Sequence, residues 1–329
     1  MKKFLNSPET ILADALDGLA EAHAGLVALG AARQFVRRVA LMPGKVGLLS
    51  GGGSGHEPLH AGFVGRGMLD AACPGQVFTA PTPDQMLAAA QAIDTGAGVL
   101  FIVKNYEGDV MNFDMAREMF GGRVETVLTD DDVAVETSTW SLGRRGVAGT
   151  LVVEKIVGAA AEQGRDLAAL AALGARVNKA TRSMGVALTS CTVPAAGHPT
   201  FALGEDEIEI GVGLHGEPGR RREKLRSADA LAEEMIAAIT SDLGAAVSGE
   251  VLLLVNGFGA TPLMELYVMF RAASRELQRR GVRVARALVG NYVTSLDMAG
   301  CSLTVTCLDA ELAALWDAPV HTPALRWGV

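Results

Sequence analysis

Hydrophobic residues along the chain recur in two alternating patterns. Short runs of β-branched residues or leucine end in glycine or polar residues, and longer segments rich in alanine and leucine follow with helical spacing. This alternation is typical of stacked βα units and predicts an α/β protein. In the first half it predicts strands at 46–50, 76–79, 99–104 and 124–129, and helices at 83–93 and 111–120.

The second half repeats this pattern after a long helical segment. Residues 150–184 carry apolar positions at helical spacing and mark the seam between the halves. Thr261 is the expected N-cap of a later helix, with Pro262 at its first position. We therefore expect two α/β domains, residues 1–184 and 185–329, each a mainly parallel or mixed sheet flanked by helices. The predicted elements after the seam are strands at 185–192, 207–212, 251–256, 282–289 and 303–308, and helices at 228–240 and 262–279.

Composition and charge narrow the possible classes of protein. The 329 residues are 49% hydrophobic and 20% charged, which supplies enough apolar material for two α/β cores. A net charge of −8 argues against a nucleic-acid partner, because it provides no basic surface for a phosphodiester backbone. The cysteines lack the spacing of a metal site, which favours free thiols and a cytoplasmic location. The sequence shows neither an export signal nor an apolar run long enough to span a membrane.

A glycine-rich motif at 49–58 follows the first predicted strand. Bare backbone amides at the carboxyl end of a strand can bind an anion or a hydroxyl group, and α/β proteins bind ligands at this edge. The motif lacks the lysine of a phosphate-binding loop and the glycine spacing of a dinucleotide site. His56 lies in the turn and is a candidate site residue; alternatively, it caps a following helix.

A second motif joins the strand at 99–104 to the next helix. Lys104, Asn105 and Asp109 offer a cation, an amide and a carboxylate to a polar ligand. A carboxylate within hydrogen-bond reach of a substrate hydroxyl can accept its proton as the oxygen attacks phosphorus. The alternative is that Asp109 only caps the helix.

A third motif places His215 between glycines after a predicted strand. From the local sequence His215 is a candidate metal ligand, general base or nucleophile, and metal binding ranks last because few other ligands lie near it. We therefore predict no metal site. Loops 256–261 and 289–295 are either binding turns or tight turns with caps. The basic run at 220–226 is either a solvated surface loop or a patch for an acidic partner or its nucleotide.

Taken together, these motifs resemble the substrate-binding K subunit of dihydroxyacetone kinases. They occur in the family's order over nearly the full length, which is far more specific than one glycine loop. Ala80 lies where some relatives carry serine, so we expect no hydroxyl contact from that residue. The similarity is carried by GGGSGHEP at 51–58, FTAPTPDQ at 78–85, KNYEGDVMNF at 104–113, GVGLHGEPG at 211–219 and WDAPVHTPALRWG at 316–328.

The resemblance implies a covalent complex with substrate. The imidazole of His215 would add to the carbonyl of dihydroxyacetone, giving a hemiaminal that selects ketones and aldehydes over polyols and fixes the orientation of the ligand. His56 and Asp109 would transfer protons as the terminal hydroxyl attacks the phosphoryl group. The catalytic residues implied are His56, Asp109 and His215, and the substrate-binding residues are Gly53, Ser54, Gly55, His56, Lys104, Asp109 and His215.

The resemblance also implies partners for phosphoryl transfer. This chain would bind no cofactor itself; a helical L subunit would carry the nucleotide with Mg²⁺ and be recharged by an M protein of the phosphotransferase system. In single-chain, ATP-dependent relatives a helical nucleotide-binding domain follows this unit. Because the sequence stops at Val329, we expect the separate-subunit type, as a homodimer in the cytoplasm. A helical partner that uses ATP is an alternative.

Two further alternatives differ in substrate or in role. A related ketose such as erythrulose shares the carbonyl and the terminal hydroxyl, so a kinase subunit for that sugar would need the same groups. A non-catalytic sensor of dihydroxyacetone would need the carbonyl-trapping histidine but no proton acceptor. The presence of both His56 and Asp109 therefore argues against a sensor.

Overall fold

The chain folds around two six-stranded sheets that are flanked by helices. The computed structural model describes residues 2–135, 141, 143–247 and 249–329. This architecture confirms the predicted α/β class with two sheets.

The first sheet has the strand order β1-β2-β4-β3-β5-β6. Its elements are α1 (Ile11–Ala22), β1 (Val27–Leu29), β2 (Val36–Arg38), β3 (Gly47–Ser54), β4 (Ala71–Val77), α2 (Pro83–Ile93), β5 (Val99–Lys104), α3 (Glu107–Phe120) and β6 (Val124–Thr129). β3 pairs in parallel with β4 on one side and with β5 on the other. The connections from β3 and β4 thus run in opposite directions, which opens a crevice at the carboxyl end of β3.

Local sequence explains the elements that border this crevice. β5 is buried along its whole length, as expected for a central parallel strand of apolar residues. Thr82 and Gln85 form a capping box at the start of α2, with Pro83 at its first position. These signals fix the bounds of α2 and β5 where the sequence predicts them.

The second sheet has the strand order β11-β10-β12-β7-β8-β9. Its strands are β7 (Thr181–Ala187), β8 (Glu207–Ile210), β9 (Arg221–Lys224), β10 (Glu250–Gly257), β11 (Arg283–Gly290) and β12 (Gly300–Leu308). Only β10 and β11 pair in parallel among its described strands. The remaining elements are α6 (Ala228–Leu243), α7 (Leu263–Arg279), α8 (Ala310–Asp317) and the short hairpin of β13 (Val320–His321) and β14 (Arg326–Trp327).

Helices α4 (Gly149–Glu162) and α5 (Leu167–Lys179) follow the first sheet in the chain and contact strands of both sheets. Every residue of α4 from Gly149 to Ala161 is buried, which is typical of a helix that is surrounded by core on all sides. One hydrophobic cluster contains Ile102 of the first sheet, Val152 of α4 and Leu254 of the second sheet. The two sheets therefore share a core through α4.

The structure corrects several predicted bounds. The strand predicted at 76–79 is β4, which covers Ala71–Val77 because pairing with β3 extends it through small residues of low strand propensity. The helical segment predicted to reach residue 184 ends at Lys179, and β7 begins at Thr181. The predicted division between residues 184 and 185 falls within β7, while the division into two domains stays a prediction.

The capping prediction for α7 is wrong. Pro262 occupies the N-cap position, and the helix begins at Leu263. The hydroxyl of Thr261 instead donates to the carbonyl oxygen of Gly300 at 2.6 Å and accepts from the Gly300 amide at 2.7 Å. Thr261 therefore joins the start of β12 rather than capping the helix.

The basic run at 220–226 forms the edge strand β9 rather than a loop. Arg221 and Arg226 both contact Glu234, and Arg222 contacts Glu209 at 2.7 Å. These arginines are neutralised by carboxylates of the same chain. The observed contacts therefore favour a solvated edge strand over a patch for an acidic partner, and charged side chains protect such an edge from further pairing.

Candidate functional site

The first part of the glycine-rich motif, up to Ser54, belongs to β3, and the rest does not lead into an α-helix. A β-carbon on Gly52 would overlap Lys104 Nζ, so the missing side chain makes room for that lysine beneath the strand. The hydroxyl of Ser54 donates to the carbonyl oxygen of Gly75 at 2.7 Å and ties β3 to β4. Gly55 follows with a φ of +104°, a conformation that favours glycine. The predicted role of Ser54 and Gly55 as ligand contacts stays a prediction.

His56 is fixed by a loop of the second sheet. Its Nδ1 lies 2.7 Å from the carbonyl oxygen of Thr294, and the amide of Leu296 donates to the Gly55 carbonyl at 2.8 Å. His56 is buried, and this burial, with the charges of His215 and Lys104, holds its pKa well below the usual value. No α-helix follows the turn, so the alternative role of His56 as a helix cap is wrong.

Asn256 at the end of β10 shapes the loop that fixes His56. Its side-chain oxygen accepts from the amides of Tyr292 and Val293 at 3.0 and 2.8 Å, and its amide donates to the Val293 carbonyl at 2.7 Å. Loops 256–261 and 289–295 therefore act together to place the Thr294 carbonyl beside the His56 ring.

His215 lies in the loop between β8 and β9, and Glu217 of the same loop holds one of its ring nitrogens. Its Nδ1 lies 3.0 Å from Glu217 Oε1, and its backbone amide donates to Glu217 Oε2 at 2.8 Å. Burial alone would raise the pKa of Glu217, but His215 and Arg145 lower it to about 2. Glu217 thus stays a carboxylate at neutral pH and fixes a proton on His215 Nδ1.

The two site histidines meet through their Nε2 atoms, which lie 3.1 Å apart. Both Nδ1 atoms face acceptors and therefore carry protons, Nδ1 of His56 against the Thr294 carbonyl and Nδ1 of His215 against Glu217. A hydrogen bond between the Nε2 atoms needs one further proton. The pair then carries one positive charge, which the Glu217 carboxylate balances.

Aromatic rings enclose the histidine pair. Phe78 stacks on His56 with ring centroids 5.0 Å apart and contacts His215 edge-on at 5.1 Å. Tyr106 contacts His215 at right angles, with centroids 4.8 Å apart. These contacts lock the rotation of the His215 ring and leave Nε2 directed at the site.

Lys104 and Asp109 lie where β5 ends and α3 begins. Both side chains are buried, and Lys104 Nζ lies 3.4 Å from Asp109 Oδ2. Burial raises the pKa of Asp109, while Lys104 and His215 counteract this effect. Tyr106 occupies the N-cap position of α3, so Asp109 lies in the first helical turn and is not the cap.

Two further buried groups lie behind Lys104 and were not predicted as site residues. His60 Nε2 lies 3.0 Å from Lys104 Nζ, and His60 Nδ1 lies 2.6 Å from Glu154 Oε1 on α4. His60 is buried at the start of a 3₁₀ turn. Its contacts with Lys104 of β5 and Glu154 of α4 join segments that are distant in the sequence, so no local sequence signal predicts them.

A cavity of about 520 Å³ opens onto Asp109 and His215. Its lining includes Gly53, Phe78, Tyr106, Asp109, Asn112 and His215. The structure thus brings His56, Lys104, Asp109 and His215 together, although they come from two sheets. The described residues contain no cluster of three or more His, Cys, Asp or Glu side chains that could hold a metal ion. No helix in the described part of the chain is both long and apolar enough to cross a membrane.

The sequence and fold are similar to those of known proteins. The "PTS-dependent dihydroxyacetone kinase 1, dihydroxyacetone-binding subunit DhaK" of Listeria innocua is 52% identical, over 94% of this chain and 95% of the relative. The "PEP-dependent dihydroxyacetone kinase, dihydroxyacetone-binding subunit DhaK" of Escherichia coli is 47% identical over the full length of both chains.

A solved structure extends this similarity to a protein named for a regulatory role. The "Dihydroxyacetone kinase operon co-activator Dha-DhaQ" superimposes with a TM-score of 0.88 at 34% identity, covering 94% of this chain and 96% of the other. Residues 17–324 match the Dak1 domain. On these matches, the chain belongs to the Dak1 domain family.

Proposed function

We propose that this chain is the dihydroxyacetone-binding subunit of a dihydroxyacetone kinase and binds the ketone covalently on His215. One observation carries the proposal: His215 Nε2 lies in a cavity beside His56 Nε2 while Glu217 holds the opposite ring nitrogen. This arrangement presents a nucleophile and a proton donor to the same carbonyl group. The names of the relatives support the same substrate.

The covalent step uses the proton shared by the two histidines. His215 Nε2 attacks the carbonyl carbon, the C=O π electrons move to the oxygen, and that oxygen takes the proton from His56 Nε2. The low pKa of His56 favours this release. The product is a hemiaminal with a neutral hydroxyl group, and the positive charge now lies on the His215 ring, whose Nδ1 proton stays hydrogen-bonded to the Glu217 carboxylate. The reverse of these steps frees the ketone or its phosphate ester.

Phosphoryl transfer then acts on a terminal hydroxyl of the bound ketone. Asp109 accepts the hydroxyl proton, the oxygen forms a bond to phosphorus, and the bond from phosphorus to the departing nucleotide breaks with its electron pair. Burial raises the pKa of Asp109 and makes it a better base than an exposed aspartate. The Lys104 ammonium group balances the negative charge of the Asp109 carboxylate before it accepts the proton.

The phosphoryl donor comes from a partner. A helical L subunit would carry the nucleotide with Mg²⁺, and a phosphotransferase M protein would recharge it, in agreement with the naming of the relatives as PTS- or PEP-dependent. This chain would hold no cofactor, and we expect it to act as a cytoplasmic homodimer. Asp109 and Asn112 line the cavity that the donor would enter.

Two variants test the catalytic roles. His215→Ala should raise KM for dihydroxyacetone at least about tenfold, while Asp109→Asn should still bind the ketone and lose at least about 99% of turnover. Phosphoryl transfer is measured with purified partners and either phosphoenolpyruvate or ATP as the ultimate donor. A crystal soaked with dihydroxyacetone should show continuous density to His215 Nε2. Normal turnover by Asp109→Asn would contradict its role as base.

A second candidate function is that of a dihydroxyacetone sensor, which the similarity to the co-activator favours. A sensor would trap the ketone on His215 but would not phosphorylate it with any partner. The same assay separates the two functions, because the wild-type chain should form dihydroxyacetone phosphate only if it is a kinase subunit.

A further inference from the structure

A buried line of polar groups leads from the site into the core. Asp109, Lys104, His60 and Glu154 follow one another with separations of 3.4, 3.0 and 2.6 Å between their polar atoms. Asp109 and Lys104 belong to the site, whereas His60 and Glu154 are not used in the proposed chemistry. All of these side chains are buried, so each interaction acts with little screening by water.

The donors and acceptors in this line fix the protonation state of His60. A lysine ammonium group only donates, so His60 Nε2 must accept and its proton must reside on Nδ1. Nδ1 then donates to Glu154 Oε1 at 2.6 Å and lies 3.0 Å from Ser50 Oγ. The Ser50 hydroxyl donates to the Ile102 carbonyl at 2.6 Å, which leaves its oxygen as a second acceptor for Nδ1. Glu154 and Ser50 thus hold His60 in one tautomer.

His60 competes with Asp109 for the lysine. Lys104 Nζ lies 3.0 Å from His60 Nε2 but 3.4 Å from Asp109 Oδ2, and 3.4 Å from the Gly51 carbonyl. We propose that His60, held by Glu154, is a positioning residue that draws the Lys104 ammonium group away from close contact with Asp109. The weaker ion pair leaves Asp109 more basic. This inference rests on the proposed function, in which Asp109 accepts a proton.

Charged groups of the described residues act on Asp109 and His60 from several elements. Asp109 is faced by Lys104 from β5 and by His215 from the loop after β8. Burial, together with the charges of Lys104 and His56, keeps the pKa of His60 well below its usual value, so His60 stays neutral. A neutral acceptor can direct the lysine without adding a charge of its own.

Substitutions of His60 test this inference. His60→Leu removes the acceptor, and we expect kcat to fall at least about tenfold, KM for dihydroxyacetone to stay within about threefold, and the acid limb of the kcat–pH profile to move to lower pH. His60→Gln keeps an acceptor near the position of Nε2 and should restore part of kcat and of the pH shift. His60→Met replaces His60→Leu if the latter does not fold.

A control and a second measurement make the result decisive. Thr306→Val removes a buried hydrogen bond to Thr181, 2.9 Å long, in the second sheet, and should lower stability without moving the pH profile. In the ligand-free chain, the pKa of Asp109, followed by ¹³C NMR of its carboxyl carbon, should fall in His60→Leu. An unchanged Asp109 pKa overturns the inference. If the wild-type chain transfers no phosphoryl group, the proposed function fails, and the Asp109 pKa alone decides the role of His60.

Discussion

At the scale of single residues, two buried glutamates have opposite protonation behaviour. Burial raises the pKa of Glu154 to about 8, because the charge of Lys104 and the side chain of Ser50 offset only part of the loss of water. Among the described residues, Glu154 Oε2 has no hydrogen-bond partner. Glu217 is also buried, yet His215 and Arg145 lower its pKa to about 2. The neighbouring charges, rather than burial, therefore decide which carboxyl group is ionised at neutral pH.

The raised pKa of Glu154 predicts a pH dependence of stability. The folded chain keeps the Glu154 proton up to about pH 8, whereas the unfolded chain releases it near pH 4.5, so this group lowers the unfolding free energy as pH rises between these values. The slope from one proton is about 1.4 kcal/mol per pH unit. Glu154→Gln mimics the neutral acid, so its stability relative to wild type should increase from pH 5 to pH 8 in urea titrations.

Glu223→Gln is the matched control for this measurement. Glu223 pairs with Arg221 and Arg226 near the surface, and these arginines lower its pKa. The effect of Glu223→Gln on the unfolding free energy should therefore stay constant from pH 5 to pH 8. If the stability difference between Glu154→Gln and the wild-type chain is also constant from pH 5 to pH 8, Glu154 is ionised in the folded chain.

At the scale of elements, the site depends on Gly52 of β3, because the Lys104 side chain passes beneath the strand at this glycine. A β-carbon at Gly52 would overlap the end of the flexible Lys104 side chain rather than backbone, so Gly52→Ala should fold and displace the lysine. We expect kcat to fall at least about tenfold, with a decrease in melting temperature of only a few degrees. Steady-state kinetics and thermal unfolding of the same sample measure both effects.

Gly18→Ala is the matched control for Gly52→Ala, because it also adds a β-carbon to a glycine within a regular element. Gly18 lies in α1 and has open space where a β-carbon would extend. This substitution should raise stability by about 0.5–1 kcal/mol and leave turnover unchanged. Unchanged turnover in Gly52→Ala would show that Lys104 tolerates displacement.

The sequence predicted those elements whose local signals agree with their tertiary packing. β5, β6 and α2 have the predicted bounds because apolar runs and a capping box define them. β4 was misplaced because Ala72, Cys73 and Gly75 form a strand through pairing with its neighbours β2 and β3. At the site, His56, Lys104, Asp109 and His215 were found from motifs at strand ends. The roles of Thr294 and Glu154 were not predicted, because they depend on contacts between distant segments. The role of Glu217 was missed although Glu217 follows His215 by only two positions and could have been found from this spacing.

At the scale of the whole molecule, α4 makes the two sheets interdependent. The shared cluster includes residues of both sheets and of α4, so one part of the core of each half is built on this helix. Leu151→Ala in α4 should lower the unfolding free energy by about 2–5 kcal/mol. Calorimetry should show a single transition with equal calorimetric and van't Hoff enthalpies for both proteins. Two separate transitions in the wild-type chain would contradict this coupling.

The presence of Glu154 in the buried stretch of α4 has a consequence for protein engineering. A thermostabilising redesign that scores only packing would replace Glu154 and His60 with hydrophobic residues of similar volume, because buried polar groups cost desolvation free energy. We expect such a variant to gain heat resistance and lose turnover. Libraries intended to yield a robust biocatalyst from this scaffold should therefore keep both positions fixed and vary the purely aliphatic positions of the helix.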